Sequence, residues 1–127
     1  MSHLTRSITA CPCGKPHTCP IRTVRIGEGA LLSLPAVCEG YRRILLVADT
    51  NTYAACGERA EALLGELVAS KHIFVGTDLV IPDEASVESI EGKLTDGVDL
   101  IVGVGSGVIN DLCKFVGHKH TLPYIIV

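Results

Sequence analysis

Three glycines in the run Val102-Gly103-Val104-Gly105-Ser106-Gly107-Val108-Ile109-Asn110-Asp111 carry the clearest chemical signal in this chain. The run follows the apolar segment Val98 to Val102 and leads into the apolar-periodic segment Val108 to Val116. That order reads as a buried strand, a glycine loop and a helix start. Without a Cβ, Gly103, Gly105 and Gly107 let the backbone bend and approach a ligand closely. The unpaired N–H groups of the first helical turn, which includes Val108 and Ile109, then face an anion that the helix dipole favours. A nucleotide phosphate is the leading ligand class. The glycine spacing alone is not decisive: G-x-G-x-x-G would need glycine where Val108 stands, and the Gly-Lys-Ser/Thr of a P-loop is absent. A tight strand-to-helix turn holding no ligand is the competing reading.

Cys11, Cys13, His17 and Cys19 place three thiols and an imidazole within nine residues, a four-ligand set that suits Zn²⁺. Their spacing matches no common zinc finger, and a flexible, reduced arm is the favoured reading. Any metal bound there would be structural. His118-Lys119-His120 follows Gly117, and exposed basic residues complementing a helix dipole explain it better than a metal site does. Asp111 near a helix start is stabilised by the dipole whether or not it has a function, and Glu58, Glu61 and Glu66 read as a solvated helix face.

The elements that would position these groups alternate. Ile21 to Ile26 has the period-two pattern of a half-exposed strand, and Ala30 to Cys38 resembles a short helix bent at Pro35. Arg43 to Ala48 is a continuous apolar run, as in a strand buried on both faces. It ends at Asp49-Thr50-Asn51-Thr52, where Asn51 or Thr52 can cap a helix over Tyr53 to Ser70. His72 to Val75 is then a strand, Gly76 to Pro82 a loop, and Asp83 or Ser86 to Leu94 a helix. Asp99 to Val102 is a strand, the following helix ends at Val116, Gly117 to Leu122 turns the chain, and Pro123 to Val127 is a last strand. The expected fold is α/β, a Rossmann-like parallel sheet with helices on both faces. Residues 1–19 form a Cys-rich arm and residues 20–127 a nucleotide-binding domain.

Composition sets the outer bounds. At 127 residues one domain with a real core is expected, and with aromatics at only 4% that core must be aliphatic. A net charge of −3 without clustered Lys and Arg argues against nucleic acid. No apolar run approaches a membrane span, and the polar start Met1 to Ala10 lacks a signal peptide's apolar stretch. A cytoplasmic protein with reduced thiols is expected.

Two longer stretches carry a family resemblance. G-V-G-S-G-V-I-N-D-L-C-K-F (Gly103–Phe115) and L-P-Y-I-I-V (Leu122–Val127) resemble the cofactor-binding half of sn-glycerol-1-phosphate dehydrogenases. These belong with glycerol dehydrogenase and dehydroquinate synthase in the iron-containing alcohol dehydrogenase-like superfamily. P-I-R-T-V-R-I-G-E-G-A-L (Pro20–Leu31) and R-I-L-L-V-A-D-T-N-T-Y (Arg43–Tyr53) are similar to the same family's opening strands.

The resemblance implies a two-domain enzyme that interconverts sn-glycerol 1-phosphate and dihydroxyacetone phosphate with NAD or NADP and a divalent metal (Zn, Ni or Fe). Gly103, Gly105, Ser106, Gly107, Val108, Ile109, Asn110 and Asp111 would then line the cofactor's pyrophosphate and nicotinamide side. Asp49 would hydrogen-bond the adenosine ribose, which suits NAD and repels a 2′-phosphate. In the family, a further cofactor loop and the metal ligands (an aspartate and two histidines) come after the position of Val127. This chain by itself is therefore expected to be inactive, with no catalytic residue of its own and a self-associating C-terminal strand, Tyr124 to Val127. A nucleotide-binding module without catalysis, or a structural fragment with no ligand, remain the alternatives.

Overall fold

The computed structural model describes residues 6–76 and 79–127. The expected absence of a leader at residues 1–5, and residues 77 and 78 of the expected Gly76–Pro82 loop, lie outside the described residues. The chain divides into two compact units, residues 1–33 and 34–127. Among the described residues no helix is long and apolar enough to cross a membrane.

Residues 34–127 form a four-stranded parallel sheet in the order β2-β1-β3-β4. The strands are β1 (Ile44–Asp49), β2 (Val68–Phe74), β3 (Leu100–Val104) and β4 (Tyr124–Ile126). β1 and β3 occupy the centre because their sequences, ILLVAD and LIVGV, have no polar side to give to water. Alternate residues leave a strand on opposite faces. Leu45, Val47 and Ile101 pack with Ile90 of α4 (Glu84–Glu91) and with Ile109, Leu112, Cys113 and Val116 of α5 (Gly107–His120). Ile44, Leu46, Ala48, Leu100, Val102 and Val104 are equally buried on the other face. That face is covered by α1 (Leu34–Val37), a π-helical turn at Tyr53–Gly57 and α3 (Glu58–Leu64), which contribute buried Leu34, Ala60 and Leu64. The expected α/β layering, with helices on both faces, is present.

Several boundaries differ from the sequence reading: the strand expected at His72–Val75 is β2 from Val68 to Phe74, and the helix expected to reach Leu94 ends at Glu91. Residues 21–26 form no strand, because alternation earns a strand only where a ladder partner exists, and Ile26 is 82% exposed. The segment read as one helix at Ala30–Cys38 is a 3₁₀ turn, Ala30–Ser33, and then the single turn of α1. The helix expected to reach Ser70 stops at Leu64, since Gly65 takes φ +55, a conformation that other residues resist. Leu67 and Val68 keep the apolar rhythm but belong to a 3₁₀ turn (Gly65–Leu67) and to β2.

The last helix, by contrast, runs past its expected end. Gly117 is not a stop: a Cβ there would lie 2.8 Å from the Leu122 carbonyl oxygen, so glycine serves a close backbone approach inside α5. The stop is Thr121 at φ 55, with Thr121 N–H donating to His118 O and Leu122 N–H to Gly117 O. These are the two bonds of a Schellman ending, with threonine where glycine is usual.

Candidate functional site

The strand order reverses between β1 and β3, because the chain passes from β1 to β2 on one side and then to β3 on the other. In open parallel sheets, ligands lie in the crevice beyond the carboxyl ends of such a strand pair. Ala48 pairs with Val104, so Asp49 and Gly105 leave the sheet side by side at that crevice.

Asp49 rather than Asn51 or Thr52 caps the helix that follows. Its Oδ1 accepts from Thr52 N–H at 2.8 Å, while Asp49 N–H donates to Thr52 Oγ1 at 3.0 Å, a reciprocal capping box for α2 (Thr50–Thr52). The half-buried carboxylate is thus held in place at the strand end.

The three glycines do different things. A Cβ on Gly103 would lie 2.7 Å from Cys113 Sγ and 2.9 Å from Ile126 Cδ1, and one on Gly105 would lie 2.6 Å from Ile109 Cγ1. Both glycines therefore let α5 sit directly on β3; Gly103 is buried and Gly105 half-buried at the strand end. Burial pushes the Cys113 thiol up to about 12, so it packs there as a small apolar group. Gly107 is exposed, and a Cβ on it would meet nothing within 4 Å. The fold has no steric need for glycine at that position.

Gly107 is also the first residue of α5. The Ser106 hydroxyl makes no capping hydrogen bond, whereas Asp49 and Asp83 cap α2 and α4 with their side chains. The first-turn N–H groups of α5 have no partner inside the helix, and they open toward the crevice end of the sheet. The Ile109 side chain is wholly buried in the core, so only its backbone can face a ligand. Val108 and Asn110 are half-buried. Asp111 is exposed one turn further on and lines a groove of about 500 Å³ between α4 and α5 with Asp83, Glu84, Glu88, Glu91 and Lys119. Five carboxylates against one lysine make that groove a poor seat for a phosphate.

The sequence of residues 25–127 matches the family model described as iron-containing alcohol dehydrogenase. The chain belongs to the iron-containing alcohol dehydrogenase family. Curated relatives include a glycerol-1-phosphate dehydrogenase [NAD(P)+] from Geobacillus stearothermophilus, 31% identical over 92% of this chain and 31% of the relative. Another of that name, from Methanosphaerula palustris, is 37% identical over 84% of this chain and 29% of the relative. The chain thus spans about a third of their length. The fold is similar to that of glycerol dehydrogenase from Schizosaccharomyces pombe (TM-score 0.62, 19% identity, 76% of this chain and 25% of that one).

The part matched to the iron-containing alcohol dehydrogenase family contains the whole crevice but not the cysteine arm. In that arm the ligand atoms of Cys11, Cys13 and His17 lie within 4.8 Å of one another, and Cys19 is not in the group. His118-Lys119-His120 forms the last turn of α5, where Lys119 Nζ and His120 Nε2 reach Glu91 Oε1 at 2.7 and 2.8 Å. Those hydrogen bonds, Lys119 first, hold the Glu91 carboxyl below its ordinary value. Lys119 and His120 thereby tie α5 to α4, while His118 is exposed.

Two sets of residues were not legible as partners in the sequence. Glu61 is half-buried rather than solvated: it accepts from Tyr53 Oη and from Lys71 Nζ, the latter at 3.1 Å. Lys71 sits on β2, so only the folded register brings it there. His72, on the same strand, has a buried Nε2 without a hydrogen-bond partner and packs edge-on against Phe74 at 4.4 Å.

Burial, helped by nearby Lys93, depresses the His72 pKa. The unfolded chain then takes up the proton first as pH falls. Stability present above the ordinary histidine value, about 6.5, is lost as pH drops through the folded value. His72→Leu should raise the melting temperature at pH 8, through about 1 kcal/mol from removing an unpaired polar atom, and should raise it further at pH 5. Equal shifts in thermal melts at the two pH values would remove His72 as the cause.

Proposed function

We propose that residues 34–127 are the nucleotide-binding unit of an NAD(P)-dependent dehydrogenase acting on sn-glycerol 1-phosphate. The observation that carries this reading is Gly107: an exposed glycine with no conformational or packing need to be one, at the uncapped start of the helix beside the strand-order reversal. A pyrophosphate that must touch backbone N–H groups supplies the missing reason for its lack of a side chain. The names of the curated relatives, which specify NAD(P)+, point to the same ligand class.

In this reading the N–H groups of Gly107, Val108 and Ile109 hold the pyrophosphate, and the Ser106 hydroxyl is available to it. Asn110 and Asp111 border the nicotinamide side. Since Asp49 Oδ1 is taken by Thr52, the adenosine ribose hydroxyls meet Oδ2, and the negative charge disfavours a 2′-phosphate. Gly103 and Gly105 contribute by seating α5, not by touching the cofactor. A nicotinamide held there would supply the hydride chemistry exchanged with a substrate carbinol carbon. Among the described residues a metal-binding group of His, Cys, Asp or Glu occurs only in the cysteine arm and not at this crevice. No step through a catalytic metal is assigned to this chain.

The test is thermal unfolding of the chain with NADH, with NADPH and with neither. A ligand that binds only the folded state raises the midpoint by an amount set by its concentration over its dissociation constant, about 2.7 kcal/mol at a hundredfold excess. A rise with NADH larger than with NADPH is expected. A larger rise with NADPH would overturn the role of Asp49, and no rise with either would overturn the nucleotide site.

A further inference from the structure

The cysteine arm has order without a core to explain it. Ile8 N–H donates to His17 O at 2.8 Å and His17 N–H to Ile8 O at 2.7 Å, a single antiparallel bridge. Between them, Gly14 N–H donates to Cys11 O at 2.9 Å and closes the turn Cys11-Pro12-Cys13-Gly14. Proline second in the turn and glycine at φ +79 are the residue types that such a reversal selects. Beyond the bridge, Cys19 N–H donates to Ser7 Oγ at 3.2 Å. Nearly every residue from 6 to 29 is exposed or half-buried, so apolar burial contributes little to holding this shape. Ordering each residue costs about 1–2 kcal/mol, and three backbone bonds do not offset that over a dozen residues.

The shape nonetheless converges on one point. The turn and the bridge bring both sulfurs and the imidazole together within 4.8 Å, with Cys13 Sγ 3.0 Å from His17 Nε2. Around a tetrahedral zinc, with bonds of about 2.3 Å to sulfur and about 2.0 Å to nitrogen, sulfurs sit about 3.8 Å apart and sulfur and nitrogen about 3.5 Å. Rotamer adjustments of about 1 Å reach those separations from a spread of at most 4.8 Å. All six cysteines are free thiols, so no disulfide competes for the sulfurs. Two thiolates and a neutral imidazole also bring Zn²⁺ to zero net charge, which suits a ligand set lying at the surface.

We propose that Cys11, Cys13 and His17 bind a zinc ion that holds the Ser7–Cys19 knuckle in this conformation, water completing the tetrahedron. Soft sulfur and imidazole donors select zinc over magnesium or calcium. The site lies outside the residues matched to the family model, and it is independent of the nucleotide reading. The free energy of metal binding is then the free energy that folds the arm.

The test uses the whole 127-residue chain, reduced and exchanged into metal-free buffer after incubation with Zn²⁺. Elemental analysis should find one equivalent retained, and anaerobic Co²⁺ substitution should give intense tetrahedral visible bands with a thiolate charge-transfer band. Cys13→Ser and His17→Ala should each weaken binding at least about 100-fold, and Cys19→Ser should leave it in place. Circular dichroism and the main melting transition, which report residues 34–127, should not change in these variants and so control for misfolding. Absence of retained zinc, full zinc in Cys13→Ser, or loss confined to Cys19→Ser would each overturn the site.

Discussion

Gly107→Val should leave the chain folded with an unchanged melting temperature and lower its affinity for NADH by at least about 100-fold, or about 2.7 kcal/mol. Both halves of that result follow from where the position lies. It is helical with nothing within 4 Å of an added Cβ, and it precedes the turns in which a branched side chain crowds its own helix. Folding is therefore indifferent to the new methyl groups. A phosphate is not, because the methyls occupy the space through which it reaches the first-turn N–H groups. Gly107→Ala should fall between the two. Calorimetric titration of NADH into the three proteins reads the series directly, and equal affinities would remove Gly107 from the site.

The mirror-image outcome belongs to Gly103. Gly103→Ala should destabilise the fold by about 1–3 kcal/mol, the usual cost of an extra methyl in a filled core. The added carbon would stand 2.7 Å from Cys113 Sγ and 2.9 Å from Ile126 Cδ1, and both neighbours are side chains of packed elements. Much of this cost is a two-body clash with the sulfur, so Cys113→Ala should rescue it. In a double-mutant cycle by urea unfolding, the pair should lose less than the sum of the single losses by at least about 0.5 kcal/mol. Strict additivity would show that the strain is carried by Ile126 or the backbone. Taken with Gly107→Val, the cycle separates a glycine that serves packing from the one proposed to serve binding.

The layering of the fold was readable because β1 and β3 are apolar along their whole length and the segments between them carry helical periodicity. The crevice was readable too, since a strand end with Asp49 and a strand end with glycines become neighbours in any parallel sheet of this order. Boundaries were less so. At Gly65 and Gly117 the same residue type ends one helix and sits inside another, and only the folded backbone distinguishes them: φ +55 at Gly65, and the approach of the Leu122 carbonyl to Gly117. Glycine spacing likewise could not separate Gly103 and Gly105 from Gly107, because the deciding neighbours, Cys113, Ile126 and Ile109, arrive through tertiary packing. The Lys71–Glu61 pair and the unpaired His72 nitrogen depend on strand register, which no local pattern encodes.

The central place of β1 has a consequence for how the chain is made. Ile44 pairs with Val68 on one side and with Leu100 on the other, and synthesis delivers the first partner long before the second. Closing the longer loop costs only about 0.8 kcal/mol more in chain entropy, so the delay is one of arrival rather than of energy. Until β3 leaves the ribosome, a strand with no polar side chain before Asp49 presents an open ladder edge to whatever is nearby. The β3-side edge of Ile44–Asp49 thus stays open to mispairing after β2 has covered the other, until β3 emerges.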